Sequence, residues 1–110
     1  MSIPLSPITE TEFLNQILQL AKLHHWRAAH FRPAMTKHGW RTPVQADGKG
    51  FPDLVLLKAT KLIAAEIKLE HGKLTDAQLQ WLLDFAKAGA ATYCWRPSDW
   101  TEITKVLGAP

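Results

Sequence analysis

The 110-residue chain has the size of one domain, and 46% hydrophobic with 21% charged residues supplies an ordinary core and excludes a disordered chain. A net charge of +3 and a pI near 9.2 make it mildly basic, which suits a polyanionic partner without requiring one. The one cysteine, Cys94, excludes an internal disulfide and a cysteine-rich metal site, and with no signal-like or membrane-length apolar run a cytoplasmic location is expected.

Residues 1–8, with their prolines and serines, read as a loosely held arm. Thr9 is placed to cap a helix whose first turn carries Glu10 and Glu12, both favourable beside the positive helix end. Phe13, Leu14, Ile17, Leu18, Leu20 and Ala21 recur at helical spacing and carry that helix to about Leu23. A first strand is expected from Arg27 to Arg32, stopped by Pro33. Residues 34–50 show no periodicity and read as a long polar loop, a kind of segment that in small domains is usually functional or mobile.

Asp53–Lys58 and Leu62–Leu69 are strand-length apolar runs joined around Ala59-Thr60, and Gly72 closes the second. Thr75 suits the N-cap of a helix through Ala88, with Leu79, Leu82, Leu83 and Phe85 giving it an apolar surface and Gly89 ending it. Ala91–Arg96 reads as a strand, Pro97 stops it, and Ser98 or Asp99 caps a last helix to Leu107. The order is αβββαβα, an α/β fold with a mixed sheet in a single domain, 1–110. Cys94 lies in the apolar run Ala91–Trp95 and reads as a buried strand position rather than a reactive thiol.

Strands covered on both faces are almost continuously apolar, and Leu62-Ile63-Ala64-Ala65 obeys until Glu66 and Lys68 interrupt. Residues two apart on a strand share a face, so these two project together. A turn centred between Ala59 and Thr60 sets Asp53 opposite Glu66, with β-carbons about 4.5–5.5 Å apart. Carboxylates that close repel unless a proton or a cation lies between them, and a hard divalent ion such as Mg²⁺ is the natural resolution. A lysine beside such an ion suits phosphodiester hydrolysis, since it can orient water or stabilise charge on a phosphate. The plain alternative is a surface hairpin with solvated Glu66 and Lys68 and an Asp53 that follows a proline turn.

Gly50-Phe51-Pro52-Asp53-Leu54-Val55-Leu56, Ala65-Glu66-Ile67-Lys68, Gly72-Lys73-Leu74-Thr75-Asp76-Ala77-Gln78 with Trp81, and Cys94-Trp95-Arg96-Pro97-Ser98-Asp99 together resemble the VRR-NUC nucleases of the PD-(D/E)XK superfamily. The likeness spans roughly Glu10 to Leu107, and it implies the restriction-endonuclease-like fold. It also implies Mg²⁺ or Mn²⁺ held by Asp53 and Glu66, catalytic help from Lys68, support from Gln78, and a carboxylate from the first helix. Glu10 continues the apolar stripe of that helix and is favoured for the last role over Glu12, which is out of phase with it. Small stand-alone members resemble homodimeric nucleases of phage and bacterial origin that act on branched DNA such as four-way junctions. His25 stands where such sequences often have glycine, before Trp26.

His30 and Arg32 could contact phosphate, or His30 could be a hydrogen-bonded structural histidine. Lys37, Arg41 and Lys49 could clamp the DNA backbone from the long loop or merely be solvated. His24, His25, His38 and His71 have no metal-ligand spacing and read as solvated. Trp81, Trp95 and Trp100 read as core or dimer-interface residues. A DNA-binding module of the same fold without catalysis is the alternative function, against which the complete Asp53, Glu66 and Lys68 set argues.

Overall fold

The computed structural model describes residues 7–110 apart from Arg32, Pro33, His38, Thr42 and Pro43. Of the arm expected at 1–8, residues 1–6 lie outside the described residues, and Ile8 packs against the core rather than hanging loose. Helix α1 spans Glu10–Leu23, and the Thr9 hydroxyl caps it by accepting from the Glu12 amide at 3.0 Å. Strands β1 (Arg27–His30), β4 (Leu54–Lys58), β5 (Lys61–Ile67) and β6 (Ala91–Trp95) form one sheet in the order β1-β4-β5-β6. The first two pairings are antiparallel and β5–β6 is parallel, so the sheet is mixed, in keeping with the restriction-endonuclease-like fold. Helix α2 (Asp76–Lys87) makes the crossover between the parallel strands, and α3 (Trp100–Gly108) follows β6 through a short 3-10 turn at Pro97–Asp99.

One face of the sheet is the main core. Leu54, Leu56, Ile63, Ala65, Ile67 and Trp95 pack against Phe13, Leu14 and Ile17 of α1 and Ile103 and Leu107 of α3. Trp26 closes the far end, its indole N–H donating to the Leu107 carbonyl at 2.9 Å. The alternate residues Ala64 and Glu66 point to the other face, where α2 covers β5 and β6. A side chain on that face of β5 is thus sealed from water by a helix. This is the setting Glu66 occupies.

Several expectations need correction. The stretch 34–50 is not wholly loop: β2 (Ala34–Thr36) and β3 (Gly39–Arg41) pair in a hairpin, with Met35 opposite Trp40. Three residues a side are too few for alternation to register, while Gly39 at φ 96° supplies the turn. β1 ends at His30 rather than Arg32, although the Phe31 amide still bonds the Asp53 carbonyl at 2.8 Å. Asp99 is the N-cap residue of α3, one of the two expected, but its side chain does not cap the helix and instead accepts from the Arg96 amide at 2.9 Å to close the 3-10 turn. On α2, Leu82 is buried, but Leu79 and Leu83 are 45% and 48% exposed, because the helix sits over the β6 edge and only part of its apolar stripe finds sheet beneath it.

Candidate active site

The β4–β5 register is the one the turn position dictates. Leu54 pairs with Ala65, which sets Asp53 against Glu66 one step beyond the last paired residues. The half-buried Asp53 accepts from the Ile67 amide through Oδ2 at 2.9 Å, which holds its carboxylate at the end of the β5 ladder. Glu66 is 1% exposed. Its Oε1 accepts from the Gln78 side-chain amide at 3.3 Å, and its buried Oε2 has no partner among the described residues.

Gln78 reaches Glu66 because of how α2 begins. Thr75 and Gln78 form a reciprocal cap, with the Gln78 amide donating to the Thr75 hydroxyl at 3.1 Å and the Gln78 side-chain carbonyl accepting from the Thr75 amide at 2.9 Å. The remaining side-chain N–H of Gln78 is thereby aimed at the sheet. From the other side, Gly50 at φ 81° packs so closely on this turn that a β-carbon there would lie 2.6–2.8 Å from Ala77 and the Gln78 nitrogen. The Trp81 indole N–H donates to the carbonyls of Asp47 and Lys49, and Phe51 sits edge-on to Phe31, Trp81 and Phe85 at 5.0–5.9 Å. The segment leading into Asp53 is therefore strapped to α2.

Burial raises the Glu66 pKa to about 9, helped by the neighbouring Asp53 carboxylate and by the charge of Glu10, while Lys68 pulls the other way. Two ionised carboxylates set opposite each other in the register repel, so the pair requires a proton or a cation between them. That requirement and the partnerless Oε2 suit a hard divalent cation, and Mg²⁺ commonly takes one or two carboxylates and keeps water for its other positions. Among the described residues no three acidic, histidine or cysteine side chains form a ready cage for a metal ion. The residues that fit a cation are the Asp53–Glu66 pair, with Glu10 close enough to bear on the charge of Glu66.

Lys68 follows β5, its amide donating to the Trp95 carbonyl at 3.0 Å and so extending the parallel ladder. It lines an open cleft of about 860 Å³ together with Glu10. The Glu12 carboxylate is engaged elsewhere and accepts from the Thr9 hydroxyl at 3.0 Å. Of the two helix-1 candidates, Glu10 is the one brought to Lys68 and Glu66.

The residues expected at a DNA backbone are not gathered in this way. His30 is exposed at the end of β1, Lys37 is exposed in the β2–β3 turn, and Lys49 is exposed on the strapped loop. Arg41 lies on β3, and Arg32 is outside the described residues. Cys94 is half-buried rather than buried, and burial pushes its thiol up, away from reactivity. Trp95 is a core residue, Trp100 packs on the core, and Trp81 anchors the loop. His71 is exposed, as its solvated reading expected, but sequence reasoning missed that it lines the cleft with Lys68. It also missed the clamp on the loop before it, where Arg96 donates to the Leu69 carbonyl at 2.6 Å and Ser98 donates to both Glu70 oxygens at 2.7 and 2.8 Å.

No helix among the described residues is long and apolar enough to cross a membrane. No curated protein and no solved structure matches the chain. The model of the VRR-NUC domain family does match, over residues 9–96, and the chain belongs to that family of nuclease domains in the PD-(D/E)XK-like superfamily.

Proposed function

We propose that the protein is a divalent-metal-dependent DNA endonuclease that hydrolyses phosphodiester bonds in branched DNA, four-way junctions among them, as a homodimer. The family supplies the nuclease-type function on DNA. The observation that supports metal dependence is Glu66, a carboxylate buried beside Asp53 with one oxygen left without a donor. An acidic side chain in such a place costs folding free energy unless a proton or a cation joins it, so its presence is best explained by chemistry.

In this reading Asp53 and Glu66, with Glu10 beside them, hold Mg²⁺ or Mn²⁺. The bound ion supplies Lewis acidity and neutralises phosphate charge. Gln78 fixes the Glu66 carboxylate so that one oxygen stays free. Lys68 orients the attacking water by hydrogen bonding and offsets negative charge that builds on the scissile phosphate. A two-fold dimer would match the symmetry of a four-way junction, which a domain of this size could not span alone. Duplex, flap, single-stranded and four-way DNA, each with Mg²⁺, Mn²⁺ or chelator, form the test. Cleavage of branched substrates only with metal is expected. Equal cleavage in chelator would remove the metal from the mechanism, and equal rates on all substrates would remove the selectivity.

A further inference from the structure

The cleft beside Lys68 holds more than hydrolysis of one bond requires. It measures about 860 Å³, within the range of a small-ligand site, and its walls combine aliphatic Ile8, Leu69 and Pro97 with Lys68, His71 and Glu10. The backbone of a paired duplex presents charged phosphates, to which aliphatic walls offer nothing. The face of a base or sugar suits them. The acidic neighbour Glu70 is already committed, since both its oxygens accept from Ser98. With Glu10 assigned to the metal, the side chains left for a nucleic acid are the Lys68 ammonium, the His71 imidazole and the apolar wall.

The wall is also held in place. Arg96 bonds the Leu69 carbonyl, the Gly72 amide bonds the same carbonyl at 3.1 Å, and Glu70 is tied to Ser98, so little ordering would remain when a ligand enters. We propose that this cleft is a subsite for one unstacked nucleotide next to the scissile phosphate, with its base or sugar on Leu69 and Pro97 and its phosphate near His71. The proposal rests on the nuclease reading and deepens it. A base leaves the stack most cheaply where pairing is already interrupted, so such a subsite would make a branch point the preferred place of cutting.

The test compares a fully paired duplex with the same duplex carrying one unpaired nucleotide, for wild type, Leu69→Ser and His71→Ala. Wild type is expected to cut beside the unpaired nucleotide about ten-fold faster than in the paired duplex. Both variants are expected to lose that preference while cutting the paired duplex at the wild-type rate. His71 is exposed, so its variant carries little risk to the fold. No preference in wild type, or one that survives in both variants, overturns the subsite. A second readout places 2-aminopurine at the unpaired position and follows its fluorescence in chelator. A change with wild type that is absent with the variants supports the subsite, and equal changes in all three overturn it. An intact fluorescence change in a wild type that cuts no DNA would refute the nuclease reading and leave the subsite standing.

Discussion

Gln78 joins the start of α2 to the buried end of β5: its side-chain amide donates to Glu66 at 3.3 Å while its side-chain carbonyl accepts from Thr75 at 2.9 Å. One residue thus serves helix capping and the candidate metal site, and two substitutions separate those roles. Thr75→Ala breaks the cap and should cost about 1 kcal/mol of stability with cleavage per folded molecule unchanged. Gln78→Ala removes the cap partner and the donor to Glu66, so a similar loss of stability should come with a clear loss of cleavage. Melting curves and single-turnover rates for both proteins check this. Equal rates in the two variants would make Gln78 a capping residue only.

The contact of Gly50 with α2 gives a second test. Alanine there would meet the backbone of Ala77 and Gln78 at 2.6–2.7 Å and would also have to hold φ at 81°, so Gly50→Ala should destabilise by more than about 1 kcal/mol and lower cleavage by shifting Asp53. Gly89 is the control. Its φ is also positive, 102°, but a β-carbon at this position would meet nothing within 4 Å, so Gly89→Ala should cost only about 1 kcal/mol with cleavage intact. Denaturant melts of the two variants are to be compared with their rates. A Gly50→Ala protein as active as Gly89→Ala would separate the strap from the site.

Lys68→Met keeps the stem and removes the charge. If Lys68 acts on the water or the phosphate, cleavage should fall by about a thousand-fold, near the upper end of what one lost electrostatic contact costs. DNA binding should stay detectable, because 12 of the 13 lysines and arginines remain to meet the phosphate backbone. Gel-shift and cleavage assays on the same substrate check both expectations, and wild-type turnover would exclude Lys68 from the mechanism.

The heart of this site was legible in the sequence because it breaks a rule. Glu66 and Lys68 stand out only against apolar neighbours, and the turn at Ala59-Thr60 was enough to set Asp53 opposite Glu66, where the register puts it. Long periodic elements such as α1 were equally readable, down to the Thr9 cap. The β2–β3 hairpin was not, since a three-residue strand has too few alternations to show. Nor was the cleft. His71, Pro97 and Ile8 come together only through the crossover of α2 and the placement of α1, and no local pattern encodes those contacts. The half-exposed Leu79 and Leu83 show the same limit, because a helical stripe says which face is apolar but not how much sheet lies beneath it.

Glu66 makes the last prediction, which needs no DNA. In the unfolded chain its carboxyl titrates near the ordinary value of 4.5, and burial beside Asp53 raises it to about 9 in the folded protein. Between those values the folded state holds a proton that the unfolded state has released, so the metal-free protein should lose stability as pH rises from 4.5 toward 9. Glu66→Gln carries no such proton and still offers an acceptor to Gln78. Its melting temperature in chelator should lack this component of the pH dependence, and at neutral pH it should exceed wild type by at least about 4 °C, the shift that roughly 1 kcal/mol gives in a small domain. Mg²⁺ bound at this pair would compete with the proton for the same carboxylate, so the stabilisation it gives wild type should grow with pH over this window and vanish in the variant. The measurement is a set of melting curves across pH for both proteins, with chelator and with Mg²⁺. A Glu66→Gln protein that melts below wild type in chelator and keeps the full Mg²⁺ shift would show that Glu66 is paired by something other than a proton or a metal, and the site would have to be sought elsewhere.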